Sequence, residues 1–76
     1  MTVIAFILIK TSLGKVDECL NSIKKISGVK EAYSVTGIYD IIVKVEVDDV
    51  KMLKDVVVNG IHRIEGIEST MTLIAV

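Results

Sequence analysis

The sequence lacks proline and tryptophan entirely, and its 76 residues include only one cysteine and one histidine. A lone cysteine cannot form an internal disulfide or a metal cluster. This usage fits a reducing cytoplasm, which is the compartment that we predict. The sequence therefore indicates no metal site, and none of its residue patterns requires a cofactor.

Long hydrophobic runs and an excess of basic charge are also absent. The longest apolar stretch, Val3–Ile9, has seven residues, whereas a membrane-spanning helix needs about 20. Lys10 follows this stretch without a small-residue cleavage pattern, so no signal peptide is indicated. The formal net charge of -1 gives no electrostatic footprint for nucleic acid. We therefore predict neither a membrane association nor direct DNA binding.

Apolar residues, by contrast, are abundant for so short a chain. They make up 51% of the sequence, and the mean hydropathy is +0.62. Valine and isoleucine contribute 12 residues each, which favours a β-sheet. Because 76 residues enclose little interior volume, we predict one domain over residues 1–76 that covers part of its apolar surface with a partner subunit.

Hydrophobic periodicity predicts four strands and two helices in the order β-α-β-β-α-β. Gly28 and Gly66 are expected to end the helices, Asp48 or Asp49 to cap the second one, and Gly60 to lie inside it. The predicted elements are a strand at Val3–Ile9, a helix at about 13–26, strands at Val29–Thr36 and Ile41–Val47, a helix from the cap to Ile64, and a strand at Ile67–Val76.

A short sequence pattern that occurs twice supports this order. The segments Ile26–Glu31 and Ile64–Ser69 share the scheme I-x-G-[V/I], and each lies where a helix passes into a strand. Two β-α-β halves joined by a hairpin predict an α+β, ferredoxin-like fold: a four-stranded antiparallel sheet with both helices on one face. The other face is left open for a dimer partner. We expect it to carry one side of the first strand together with Ala32, Ser34, Ile42, Lys44, Thr70 and Thr72.

The hairpin turn Thr36–Asp40 is the candidate ligand site. A zwitterionic ligand needs an oxygen for its ammonium group, which Asp40 offers, and donors for its carboxylate, which the backbone N–H groups around Gly37–Tyr39 offer. Hydroxyls on the last strand could add donors. Each residue also has an ordinary interpretation, as a turn glycine, a strand-entry aspartate, a packed tyrosine or strand threonines. The predicted ligand-binding residues are Thr36, Gly37, Ile38, Tyr39, Asp40, Ser69, Thr70 and Thr72.

These residues resemble the effector-binding domain of the Lrp/AsnC transcriptional regulators, also called the RAM domain. The resemblance covers the whole chain, and its most specific part is T-G-x-Y-D followed by two hydrophobic residues and valine, at Thr36–Val43. Leu13, Ser27 and Glu65 replace prolines that are usual in the family. None of residues 1–76 resembles the helix-turn-helix DNA-binding domain of the regulators, so we expect a stand-alone member.

The resemblance implies a function and a set of partners. Such domains form homodimers through their sheets, assemble into rings that are often octamers, and bind a free amino acid between dimers, beside the hairpin turn. We therefore expect an oligomeric amino-acid-sensing module that modulates assembly in the transcriptional regulation of amino-acid metabolism, alone or with full-length regulators.

Three alternatives stay open at this point. The chain could be a structural co-assembly partner of such regulators without a ligand, a dimeric α/β-barrel enzyme, or an ACT-type amino-acid-binding domain of the same topology. His62 is interpreted as a helix-surface residue and Cys19 as a core residue. Because no catalytic set can be assembled from these residues, we expect no enzymatic activity.

Overall fold

The computed structural model describes residues 1–76 and confirms the predicted order of elements. The elements are β1 Val3–Thr11, α1 Val16–Ile23, β2 Val29–Ser34, β3 Ile41–Val47, α2 Val50–Asp55 and β4 Ile67–Ile74. A π-helical turn, Val56–Gly60, and a 3-10 turn, Ile61–Arg63, extend α2. The strands form one antiparallel sheet in the order β2-β3-β1-β4, which is the predicted ferredoxin-like topology.

The core lies between one face of the sheet and the two helices. Alternate residues of β1 and β3 point into it, because side chains alternate between the faces of a strand. The helices cover these residues with Cys19 and Ile23 of α1 and with Leu53, Val56 and Ile61 of the second helical segment. The strand residues of the core are Ala5, Ile7, Ile9, Ala32, Ile41, Val43, Val45 and Val47.

The first helix is shorter than predicted at both ends: it covers Val16–Ile23, and turns lead from Lys24 to the predicted glycine, Gly28. Gly14 has a φ of 79°, outside the helical region, so the chain turns before α1 begins at Val16. Gly28 has a φ of 98°, and a Cβ there would lie 3.0 Å from Val47 Cγ1. Both the backbone conformation and the close approach therefore require glycine where this helix passes into β2.

Asp49, rather than Asp48, caps α2. Its carboxylate accepts a hydrogen bond of 2.8 Å from the Met52 backbone N–H, one of the donors that a helix start leaves unpaired. The helical segment then continues through Gly60 as predicted, although residues 56–60 widen into a π-helical turn. Gly60 is packed against Ile26, with an added Cβ only 3.3 Å from two side-chain carbons.

Replacing Asp49 with Ala is expected to lower the free energy of unfolding by about 1 kcal/mol, because the Met52 N–H loses its cap. The matched control is Asp48→Ala, which removes the same charge from the neighbouring exposed position without removing a cap bond. Urea denaturation followed by circular dichroism measures both variants. Equal midpoints for the two would contradict the cap assignment.

The open face of the sheet differs from the predicted one in four residues. Ala32 is paired with Val43, and Ser34 with Ile41, so both belong to the helix-covered side. Thr70 and Thr72, paired with Ile9 and Ile7, belong to the same side. The prediction assumed that polar residues alternate outward, but here the outward side of β4 is the apolar one, with Met71 and Leu73. Ile42 and Lys44 lie on the open face as predicted.

This open face combines an apolar centre with a polar margin along β2. Phe6, Met71 and Leu73 expose 37%, 47% and 49% of their surface on it. At the margin, Tyr33 donates a hydrogen bond of 2.7 Å to the Glu31 carboxylate, whose other oxygen lies 3.8 Å from Lys44 Nζ. The bond to Glu31 raises the pKa of the Tyr33 phenol, because the carboxylate favours the protonated form. The apolar side chains of this face are Ile4, Phe6, Leu8, Tyr33, Ile42, Met71 and Leu73.

None of the helices is long and apolar enough to cross a membrane.

Candidate functional site

The hairpin turn between β2 and β3 folds across the end of β1 towards β4. Its base is closed by a hydrogen bond of 2.8 Å from the Val35 N–H to the Asp40 carbonyl. The Tyr39 hydroxyl reaches Met71 Sδ on β4 at 3.9 Å. Gly37, with a φ of 136°, provides the backbone conformation for the tip, where Ile38 is 79% exposed. The turn therefore lies beside two further strands.

Asp40 holds this turn against β1. Its Oδ2 accepts hydrogen bonds from the Thr11 N–H at 2.8 Å and from the Thr11 hydroxyl at 3.2 Å. Its own N–H donates to the Ile9 carbonyl at 2.8 Å, which extends the ladder between β1 and β3. The carboxylate thus replaces a backbone carbonyl at the end of the sheet. Oδ1 makes no hydrogen bond within the chain, so one oxygen remains available to a ligand.

The backbone donors of the turn are also free. The N–H groups of the four residues Thr36–Tyr39 make no hydrogen bond within the chain, whereas the flanking N–H groups of Val35 and Asp40 are both paired. A series of free N–H groups in a turn is a general anion-binding arrangement. The turn therefore contains both unpaired donors and one unpaired carboxylate oxygen.

The three predicted hydroxyl residues of β4 do not all lie near the turn. Ser69 is paired with Lys10 at the end of β1, on the same side of the sheet as the turn. Thr70 points to the helix-covered side, where its hydroxyl lies 2.9 Å from His62 Nε2. Thr72 lies on that side too, three residues from Ser69 and hence about 10 Å further along the strand. Only Ser69 shares a surface with Thr36–Asp40.

A cleft of about 340 Å³ adjoins this surface at the edge of β4. It is lined by His62, Ile67, Glu68, Ser69 and Thr70. Glu68 is the extra residue of a β-bulge, because Thr11 is paired with Ile67 and Lys10 with Ser69. Ser69 belongs to both the cleft and the open face, so it connects the two. His62 is exposed as predicted, but its contact with Thr70 was not predicted, since no local pattern links it to a strand residue eight positions later.

Lys10 was also missed by the sequence analysis. It is the last residue of β1 on the open face, it is exposed, and its Nζ lies 3.4 Å from the Ile38 carbonyl oxygen. Alternation along β1 could have placed it on that face, but the bend of the turn towards it has no local signal. It brings a positive charge next to the turn.

Other parts of the molecule offer fewer groups suited to binding a ligand. A cleft of about 700 Å³ lies at the opposite end of the sheet, between the start of β2, the end of β3 and α2, and carries charges of both signs.

Cys19 is fully buried and donates to the Glu65 carbonyl at 3.5 Å. Burial raises the pKa of the Cys19 thiol, and the charge of Glu18 raises it further, so the reactive thiolate is disfavoured. No group of three or more His, Cys, Asp or Glu side chains is arranged to hold a metal ion.

Comparisons with known proteins agree with the fold. Residues 4–76 match the family model described as the Lrp/AsnC ligand binding domain. The crystal structure of TTHA0845 from Thermus thermophilus superposes with a TM-score of 0.94 at 42% identity, covering 97% of this chain and 92% of that one. The HTH-type transcriptional regulator FL11 of Pyrococcus furiosus is 36% identical over 72 residues, 95% of this chain and 47% of FL11.

The chain spans about half the length of the curated regulators that it matches. A shorter match concerns an enzyme: 47 residues, or 62% of this chain, are 45% identical to a segment that makes up 10% of homocitrate synthase from Sulfurisphaera tokodaii. The curated relatives that match nearly all of this chain are HTH-type transcriptional regulators.

Proposed function

The chain belongs to the family of Lrp/AsnC ligand-binding domains, and we propose that it is an amino-acid-sensing module that binds its ligand at a subunit interface and thereby modulates its own assembly. The site consists of the turn Thr36–Asp40 and the adjoining hydroxyl of Ser69, together with a surface of a neighbouring subunit. Of the other predicted hydroxyl residues, Thr70 lines the cleft at the edge of β4 and points to the helix-covered side, and Thr72 is more distant still.

One observation carries this proposal: the four free N–H groups of Thr36–Tyr39 and the free Oδ1 of Asp40 belong to the same five-residue turn. An amino acid has a carboxylate that needs donors and an ammonium group that needs an acceptor, and the turn offers both within one short segment. The exposed surface of the turn is not a pocket in one chain. A second subunit is therefore needed to exclude water from the ligand.

The open sheet face supports the dimer on which such an assembly rests. Phe6, Met71 and Leu73 leave apolar surface exposed at its centre, and the Glu31–Lys44 pair forms a polar margin. An apolar centre with a polar rim is the usual anatomy of a protein interface. We propose a homodimer through this face and a higher ring, such as an octamer, that brings the turns of adjacent dimers together.

Two relatives support the amino-acid class and the regulatory role. The structure of the transcriptional regulator NMB0573 from Neisseria meningitidis in complex with L-Met has the same fold, with a TM-score of 0.86 at 17% identity. Segments similar to this chain occur in DNA-binding regulators and in homocitrate synthase, which have different outputs. A shared role in sensing a small molecule explains why similar segments occur in both classes of protein. In the proposed setting the module acts in the cytoplasm, in the regulation of amino-acid metabolism, and co-assembles with full-length regulators.

The test is isothermal titration calorimetry of the protein against each of the 20 L-amino acids. We expect at least one to bind, and Asp40→Asn to weaken it by about 10- to 100-fold, because the ammonium group loses a charged acceptor while an oxygen remains for Thr11. Asp17→Asn is the matched control, since it makes the same change on the exposed face of α1.

Two outcomes would reject the assignment. If no amino acid binds, or if Asp40→Asn binds as tightly as the unchanged protein, the turn is not the ligand site. If an amino acid does bind, light scattering with and without it tests whether binding changes the assembly. In the ligand-free alternative, the chain co-assembles with a regulator such as FL11 regardless of any amino acid.

A further inference from the structure

We propose that Lys10 is the residue that pairs with the carboxylate of the bound amino acid, opposite the Asp40 oxygen that accepts its ammonium group. This inference rests on the proposed function and names a further binding residue of the same site. The two charges would flank the ligand, with the free N–H groups of the turn between them.

The position of Lys10 follows from the alternation of β1. Ile4, Phe6, Leu8 and Lys10 all point to the open face, and Lys10 is the last of them. It lies one residue beyond the pair Ile9–Ile41, so its backbone is next to that of Asp40 at the end of the sheet. On its other side it is paired with Ser69. The backbone of Lys10 thus lies between two residues of the proposed site, Asp40 and Ser69.

The hydrogen bonds of Lys10 leave it free for a ligand. Its single contact is a long one, 3.4 Å from Nζ to the Ile38 carbonyl, and an ammonium group has three donors. The ion pairs of the chain are Lys15–Glu18 and Lys44–Glu31, so Lys10 has no carboxylate partner. At least two of its donors remain unused.

The charge of the site explains why such a cation is needed. Thr36–Asp40 carry one charge, the negative one of Asp40, which attracts an ammonium group but repels a carboxylate. Lys10 makes the site neutral overall and gives it two poles, which matches a zwitterion. A structural interpretation competes with this one: Lys10 could only support the turn through the Ile38 carbonyl. The two differ in what they predict for a ligand that has no carboxylate.

The experiment compares the amino acid that the unchanged protein binds most tightly among the 20 with its α-carboxamide, which keeps the ammonium group and loses the carboxylate charge. Lys10→Met keeps the aliphatic stem and removes the ammonium group. We expect it to weaken the amino acid by about 10- to 100-fold and the carboxamide by less than about twofold. Lys10→Arg should retain most of the affinity for the amino acid, and Lys51→Met, on the exposed surface of α2, should change neither ligand.

The possible results test the role of Lys10 and the proposed function separately. Equal weakening of both ligands by Lys10→Met, or no weakening of either, would overturn the role of Lys10 and leave the amino-acid site standing. Failure of the unchanged protein to bind any amino acid would instead reject the proposed function itself. Thermal unfolding of each variant shows whether a loss of affinity reflects a loss of folded protein.

Discussion

Replacing Asp40 with Ala is expected to lower the free energy of unfolding by about 2 to 4 kcal/mol and to abolish amino-acid binding at the same time. The carboxylate accepts two hydrogen bonds from Thr11, whose side chain is only 6% exposed. Without the carboxylate, a partly buried N–H and a hydroxyl lose their partner, and each such group costs about 1 to 3 kcal/mol. The turn also loses the side-chain bonds of Asp40 to β1 and keeps the backbone bond from the residue 40 N–H to the Ile9 carbonyl, so its free N–H groups are held less firmly.

Urea denaturation and calorimetry measure the two effects of Asp40→Ala separately. Thr11→Val is the matched variant, because it removes the hydroxyl bond and keeps the bond from the backbone N–H. We expect it to cost about 1 kcal/mol and to leave binding within a few-fold of the unchanged protein. If Asp40→Ala were as stable as the unchanged protein, Asp40 would not hold the turn in the way that the structure indicates.

Replacing Phe6 with Asp is expected to convert the proposed dimer into folded monomers. Phe6 lies at the centre of the open face, paired with Lys44 on one side and Leu73 on the other. In a single chain it is 37% exposed, so an aspartate there is solvated and the monomer can fold. In a dimer the same charge is buried without a partner. Loss of a central aromatic residue costs about 2 to 4 kcal/mol, which raises the dissociation constant of the dimer by about 30- to 1000-fold.

Sedimentation velocity over a concentration series measures this dissociation, and circular dichroism checks that the variant is folded. Val50→Asp is the matched control: Val50 is 58% exposed and lies at the start of α2, where a negative charge suits the helix dipole. Leu73→Asp, on the same face as Phe6, should act like Phe6→Asp. A dimer that survives both open-face variants must use another surface.

The sequence predicted the fold well because its patterns are local. The alternation of β3, with Ile41, Val43, Val45 and Val47 all buried, follows directly from the period of a strand. The glycines after the two helices marked the passages into β2 and β4. Each of these signals is contained within a few consecutive residues, and the connection rules then determine the topology.

The faces of the edge strands and the partners of the site were harder to predict. Alternation alone does not say which side of β4 is covered, and the assignment that placed Thr70 and Thr72 outward was wrong because the open face is itself apolar. The bond between Asp40 and Thr11 joins residues 29 positions apart and has no local signal. The same holds for Lys10 and the turn. The sequence thus indicated a candidate segment for the site but not which atoms of that segment are free of hydrogen bonds.

The position of β1 in the sheet has a consequence for how the domain is made. β1 is the first strand of the domain, yet it lies between β3 and β4, and β4 is the last strand. During synthesis, the apolar residues of β1 therefore have no neighbouring strand until β3 emerges. The other edge of β1 stays unpaired until Ile67–Ile74 emerge. Non-local pairing of this kind slows folding and prolongs the exposure of a strand that is prone to aggregate. Before Ile67–Ile74 emerge, the nascent domain lacks Ser69 and has one edge of its central strand unpaired, so neither the sheet nor the proposed ligand site is complete until β4 has left the ribosome.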